Sequence, residues 1–165
     1  MAEKKATVTF DAIMRDLKSG KYAPVYILMG DESYYIDRIT DYIAENVLDP
    51  DDRDFNQTVV FGADTTAAQA VDMAKGYPVM PAAHRVVIVK EAQGLKSLDA
   101  LERYFEKPLA STLLVIAYKN GTIDRRKKVV GKAEAVGVVF ESKKKRDYEL
   151  PTFIETYLKK NHVAI

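Results

Sequence analysis

The feature that most constrains the fold is a run of apolar residues that ends in a glycine and two acids, within PVYILMGDESYYI at residues 24–36. No charged side chain interrupts this run before Gly30, which is typical of a strand buried on both faces of a sheet. Asp31 and Glu32 then open a stretch whose apolar residues recur with the period of a helix. A buried strand that turns tightly into a helix predicts an open α/β domain.

The rest of the chain alternates between the same two patterns. Apolar and β-branched runs predict four more strands, at residues 56–61, 85–89, 111–118 and 138–141. Apolar residues at helical spacing predict helices at residues 10–17, 32–47, 65–75, 97–105 and 124–135. The run at 111–118 is almost wholly apolar and is expected to be central. This alternation predicts a parallel five-stranded sheet with helices on both faces.

Composition limits the classes of function. The 165 residues, of which 47% are hydrophobic, suit one packed core. A net charge of +1 gives no strong field toward nucleic acid or a membrane. The absence of cysteine excludes disulfides and thiol catalysis. No apolar signal segment or run of roughly 20 apolar residues is present, so we expect a cytoplasmic protein without membrane contact.

The turn after the first strand is where nucleotide-binding α/β proteins hold phosphate, with amides freed by glycine and with a lysine. This turn has a single glycine and no lysine. After the third strand, Lys90 and Glu91 stand where an ATPase carries an acidic pair for Mg²⁺. We therefore expect no cofactor, no metal and no catalytic residue. The turn is predicted to be a degenerate nucleotide site, formed by Gly30, Asp31, Glu32 and Ser33.

The acid pair has two other interpretations. Receiver domains bind Mg²⁺ with two acids after the first strand and an aspartate on the third, but that aspartate is missing here. Alternatively, Asp31 or Ser33 caps the following helix, and each acid near its positive end contributes about 0.3 to 1 kcal/mol. Capping is the favoured interpretation. A receiver-like or degenerate nucleotide-binding regulatory domain remains the alternative function.

Two basic runs are candidates for DNA contact, because clustered lysine and arginine neutralise phosphate charge. The alternative is that these side chains are merely solvated. The candidates are Arg125, Arg126, Lys127 and Lys128 in the first run and Lys143, Lys144 and Lys145 in the second. His84 and His162 lie in different elements, without the neighbours that a catalytic triad or a metal site requires.

Three segments together resemble the delta subunit of the bacterial DNA polymerase III clamp loader. They are PVYILMGDESYYIDRI from residue 24, YPVMPAAHRVVIVKEAQ from residue 77 and SKKKRDYELPTFIETYL from residue 142. The resemblance implies a P-loop NTPase (AAA+)-like domain with a decayed nucleotide site and no intrinsic catalysis, within the DNA-directed DNA polymerase holoenzyme. It also implies that the protein binds the ring-shaped sliding clamp (beta subunit) and opens it, together with gamma/tau and delta prime subunits.

The basic run at residues 143–146 is the one shift in composition, and we place a domain boundary there. Residues 1–145 are expected to form the AAA+-like α/β domain. Residues 146–165 are expected to begin a second, helical domain whose remainder is absent from this chain. The family resemblance implies the same division.

The stretch from Tyr77 to Pro81 is apolar and contains two prolines, which keep it out of helices and sheet ladders. Apolar side chains on such a loop indicate a contact site, unless they fold back onto the core. In the family that the chain resembles, this segment inserts adjacent apolar residues into a hydrophobic pocket of the clamp. Val79 and Met80 match that pair, and Pro81 is a third candidate for the same role.

Overall fold

Five parallel strands form the sheet of the computed structural model, which describes residues 8–144. The strands are β1 (Val25–Gly30), β2 (Gln57–Phe61), β3 (Arg85–Lys90), β4 (Thr112–Lys119) and β5 (Val138–Ser142). Their order across the sheet is β2-β3-β4-β1-β5, so β4 is the central strand. The predicted sheet is confirmed, at nearly the predicted bounds.

Helices cover both faces of this sheet because alternate residues of each strand point to opposite sides. In β1, for example, Val25, Ile27 and Met29 join one apolar cluster, and Tyr26 and Leu28 join the other. The helices are α1 (Phe10–Lys18), α2 (Ser33–Asn46), α3 (Pro50–Asn56), α4 (Ala67–Ala74), α5 (Asp99–Glu106) and α6 (Lys128–Val136). The first cluster includes residues of α4, α5 and α6, and the second includes residues of α1 and α2.

Helix α3 was not predicted, because its sequence PDDRDFN offers only one apolar residue for periodicity. Two local features favour it nevertheless. Pro50 occupies the first helical turn, where its fixed φ suits the helix, and Asp51 and Asp52 complement the positive end. The prediction that the second strand begins at residue 56 is therefore wrong by one residue, since Asn56 ends α3.

Helix α6 begins at Lys128, four residues later than predicted. The reason is a local turn that competes with the helix. The Asp124 carboxylate accepts a hydrogen bond from the Arg126 N–H at 2.9 Å, and the Lys127 N–H donates to the Asp124 carbonyl at 3.0 Å. Most of the first basic run thus lies in this turn.

Residues 145–165 contain the predicted start of a second domain and Lys145, and these predictions lie outside the described residues. Within the described part of the chain, no helix has the length and apolar character needed to cross a membrane.

Candidate binding surfaces at the two ends of the sheet

The carboxyl end of β1 is where an open α/β sheet most often holds a ligand, because the order of the strands reverses beside β1. In this protein the turn packs tightly against the end of β5. A Cβ atom on Gly30 would lie 1.9 Å from the Ser142 carbonyl oxygen, and Gly30 has a φ of +136°. Gly30 is therefore required by the close approach of two backbone segments.

Hydrogen bonds within the protein occupy several polar groups of this turn. The Glu32 N–H donates to the Ser142 carbonyl at 3.3 Å, and the Ser142 hydroxyl donates to the Glu32 carbonyl at 2.6 Å. The Lys144 N–H donates to the Asp31 carboxylate at 3.2 Å. The Glu32 amide is therefore not available to a phosphate, and the degenerate nucleotide site stays a prediction.

The acid pair does cap α2, but the capping residue is Glu32 and not Asp31 or Ser33 as predicted. The Glu32 carboxylate accepts a hydrogen bond from the Tyr34 N–H at 3.0 Å, and Ser33 is already the first helical residue. The Asp31 carboxylate instead accepts a hydrogen bond from the N–H of Lys144, which follows β5. The sequence pattern could not distinguish Asp31 from Glu32 as the cap, because the two acids are consecutive residues before the same helix.

The ends of β3 and β4 carry an ion-pair network centred on Lys119. Its ammonium lies 2.6 Å from the Asp37 carboxylate and 3.4 Å from that of Glu91. Burial lowers the pKa of Lys119, but the hydrogen bond and charge of Asp37 and the charge of Glu91 outweigh burial and raise the pKa overall. Glu91 is therefore paired with a lysine of the neighbouring strand β4.

Gln93 connects this network to the backbone. Its side-chain oxygen accepts the Lys119 N–H at 2.9 Å, and its amide nitrogen donates to the Glu91 carboxylate at 3.1 Å. The charge of Lys119 is thus paired with those of Asp37 and Glu91. Residues 8–144 contain no group of three or more His, Cys, Asp or Glu side chains that could hold a metal ion.

The two basic runs meet at Glu141, at the end of β5. Arg125 lies 3.4 Å from the Glu141 carboxylate, and Lys143 lies 3.8 Å from it. Arg125 also pairs with Glu134, and Arg126 pairs with Asp124. Acids therefore neutralise part of both runs. Lys127, Lys128 and Lys144 are exposed, and their contact with DNA stays a prediction.

The opposite end of the sheet carries the apolar loop, residues 77–81, between α4 and β3. Tyr77 is 75% exposed, Val79 52% and Met80 86%. The interpretation in which Val79 and Met80 fold back onto the core is therefore wrong. The Met80–Pro81 peptide bond is cis. Beyond the loop, Ala82 returns to the core and its N–H donates to the Val79 carbonyl at 3.2 Å.

Asn56 holds this loop from the end of α3. Asn56 is only 2% exposed, and its side-chain oxygen accepts a hydrogen bond from the Val79 N–H at 2.6 Å. Its amide nitrogen donates to the Val79 carbonyl at 3.2 Å and to the Asp52 carbonyl at 3.1 Å. Sequence reasoning missed Asn56, because the residue that it holds is 23 positions away and no local pattern marks such a contact.

The exposed large hydrophobic residues of the described chain are concentrated in two segments. The segment from 55 to 61 and the apolar loop together contain six of the seven, namely Phe55, Val59, Phe61, Tyr77, Val79 and Met80, and the seventh is Tyr34. Phe55 directly precedes Asn56, while Phe61 ends β2 opposite Lys90 at the carboxyl end of the sheet. The exposed residues therefore lie at both ends of the sheet, and those at the amino end, Phe55, Val79 and Met80, are the candidates for a contact surface.

Comparison with known proteins identifies similar chains. Residues 26–143 match the family described as DNA polymerase III, delta subunit. The DNA polymerase III subunit delta of Bacillus subtilis (strain 168) is 29% identical over 156 residues, which cover 88% of this chain and 44% of that protein. The structure of the Bacillus subtilis DNA clamp loader delta protein matches with a TM-score of 0.79 and 27% identity, over 93% of this chain and 48% of that one.

A DNA polymerase III gamma subunit-related protein from Thermotoga maritima matches with a TM-score of 0.50 and 17% identity, over 89% of this chain and 49% of that one. This likeness concerns the fold alone. The predicted AAA+-like class is confirmed by these structural neighbours. The chain spans about half the length of the relatives that it matches.

Proposed function

The chain belongs to the DNA polymerase III delta subunit family, and from this premise we propose that it binds the sliding clamp and opens the ring during DNA replication. The observation that carries the proposal is the apolar loop, whose side chains at Val79 and Met80 are exposed while its backbone is held by a buried asparagine. Because the loop backbone is already held in place in the free protein, binding costs little conformational entropy, which favours affinity.

In this proposal, Val79, Met80 and Pro81 enter an apolar pocket on the clamp (beta subunit). Methionine suits such a pocket because its side chain adapts to irregular surfaces. The other partners are the gamma/tau and delta prime subunits of the clamp loader, in the bacterial cytoplasm. The exposed lysines of the two basic runs add at most a weak, salt-sensitive contact with DNA, because the Glu141 carboxylate pairs with both Arg125 and Lys143.

We expect the 165-residue chain to bind the sliding clamp of the same organism directly. The clamp, immobilised as an intact ring, is exposed to increasing concentrations of the chain in a surface plasmon resonance measurement. A saturable response would support the proposal. No response at any concentration, from a chain that circular dichroism shows to be folded, would contradict it.

The chain is proposed to act by binding, without catalysis of its own. Asp31 and Glu32 are tied to the end of β5, and Lys119 is paired with Asp37 and Glu91. The alternative, a receiver-like or degenerate nucleotide-binding regulatory domain, requires these groups for Mg²⁺ or phosphate.

Isothermal titration calorimetry with MgATP and with Mg²⁺ alone discriminates between these functions. We expect no binding heat in the micromolar range from either titration, because the Glu32 amide and the Asp37 and Glu91 carboxylates already have partners within the protein. A bona fide nucleotide-binding AAA+ protein titrated under the same conditions provides the positive control. A micromolar dissociation constant for MgATP would favour the regulatory alternative.

A further inference from the structure

Two segments that are far apart in the sequence meet at the amino end of the sheet. Asn56 closes α3, and both hydrogen-bonding groups of its amide contact the backbone of Val79, 23 positions later. Asn56 and Val79 therefore exchange two hydrogen bonds, as paired residues of neighbouring strands do. This contact fixes the orientation of the Val79 peptide, and with it the directions of the Val79 and Met80 side chains.

The burial of Asn56 makes the contact specific. A buried amide is tolerated only where its hydrogen bonds are satisfied, and each of the three bonds of Asn56 ends on a backbone group. An apolar side chain of similar size would fill the same space but would leave the Val79 N–H without this acceptor. Asn56 thus holds the loop, in addition to filling the core.

Phe55, the residue before Asn56, is 71% exposed, in a helix whose other residues are mostly acidic or polar. Helix α3 ends directly before β2, the loop precedes the neighbouring strand β3, and Asn56 bonds the Val79 backbone. The exposed Phe55 and the exposed side chains of the loop therefore lie at the same end of the sheet, although the sequence separates them.

We propose that the clamp-contact surface is composite, with Phe55 contributing a third apolar side chain beside Val79 and Met80, and with Asn56 as the positioning residue that holds the two segments together. This inference rests on the proposed function. The partner chemistry is an apolar pocket on the clamp that is wide enough to receive an aromatic ring from α3 as well as the loop.

Phe55→Ala tests the contact. We expect this variant to weaken clamp binding by about tenfold or more, which corresponds to about 1.4 kcal/mol, with an unchanged melting temperature because the ring is exposed in the free protein. The matched control is Phe61→Ala, which removes another exposed ring at the opposite end of β2 and should leave clamp affinity unchanged. Equal affinities for wild type and Phe55→Ala would overturn the composite surface.

Asn56→Ala tests the positioning role through a double-mutant cycle with Met80→Ala. In the wild-type background we expect about a tenfold loss of clamp affinity. In the Met80→Ala background we expect a smaller loss, because Asn56 acts through the side chains that it orients. Equal losses in both backgrounds would mean that Asn56 does not act through the loop. Asn46→Ala, which removes an exposed asparagine bonded to the Tyr42 carbonyl, provides the control.

Amide hydrogen exchange gives a readout that is independent of the clamp. We expect Asn56→Ala to accelerate exchange at Val79 while the amides of β3 keep their protection. Asn56→Asp retains an acceptor for the Val79 N–H and should restore part of that protection and part of the affinity. If Asn56→Ala does not fold, Asn56→Leu fills the same space without an acceptor, and unchanged affinity and unchanged exchange at Val79 in that variant would overturn the positioning role.

The outcomes separate this inference from the proposed function. A loss of clamp binding in a variant that lacks both Val79 and Met80 side chains, with no effect of Phe55→Ala or Asn56→Ala, would overturn the composite surface alone. Unchanged binding in all of these variants would overturn the proposed use of the loop, and the composite surface with it.

Discussion

Replacing Val79 and Met80 together by alanine is expected to weaken binding of the sliding clamp by at least about a hundredfold. Both side chains are largely exposed in the free protein, so they contribute little to its stability. If both enter an apolar pocket, each contributes about 1.5 to 3 kcal/mol to binding. The dissociation constant measured by surface plasmon resonance tests the effect, and the melting temperature should stay unchanged.

The matched control for this experiment is Val59→Ala. Val59 is another exposed valine, 42% accessible, and lies in the middle of the edge strand β2 and not on the loop. It should keep full clamp affinity. An unchanged dissociation constant for the Val79 and Met80 double variant, at an unchanged melting temperature, would show that the clamp contact lies elsewhere on the molecule.

Gly30→Ala is expected to lower the free energy of unfolding by about 2 to 4 kcal/mol. Two costs combine at this position. The φ of +136° is strained for alanine, and the new methyl group would meet the Ser142 carbonyl oxygen at 1.9 Å. Relief requires β5 to move away from the turn, which breaks the hydrogen bonds between Glu32 and Ser142. Urea denaturation monitored by circular dichroism measures the change.

Gly20→Ala separates the two costs. Gly20 also has a positive φ, of +80°, but no atom lies within 4 Å of the position that a Cβ would take. Only backbone strain is expected there, about 1 kcal/mol. If Gly30→Ala destabilised the protein no more than Gly20→Ala does, the close packing of β5 against the turn would be contradicted.

The sheet could be predicted from the sequence mainly because β1, β3 and β4 are buried on both faces. Continuous apolar runs such as that of β1 have few other places in a folded domain. Helix α3 and the start of α6 could not be predicted in the same way, since hydrogen bonds and charges at particular residues decide them. Asp124 illustrates this, because its side chain and carbonyl form a turn where periodicity alone predicts a helix.

The candidate site was predictable only in part, for a related reason. Two prolines and a run of apolar residues predict an exposed loop from local chemistry, and the exposure of Val79 and Met80 agrees with that prediction. The contact between Asn56 and Val79 and the pairing of Lys119 with Asp37 and Glu91 join elements that are distant in the chain. A single sequence carries no local signal for such pairs.

The hydrogen bonds between the turn after β1 and residues 142–144 limit the changes that could make this turn bind phosphate. A lysine and extra glycines placed in the turn would not by themselves produce a phosphate cradle, because Ser142 and Lys144 would still occupy the groups around it. The same bonds fix the path by which the chain leaves the sheet. A phosphate site at this turn would thus require changes in two distant segments, the turn itself and the end of β5.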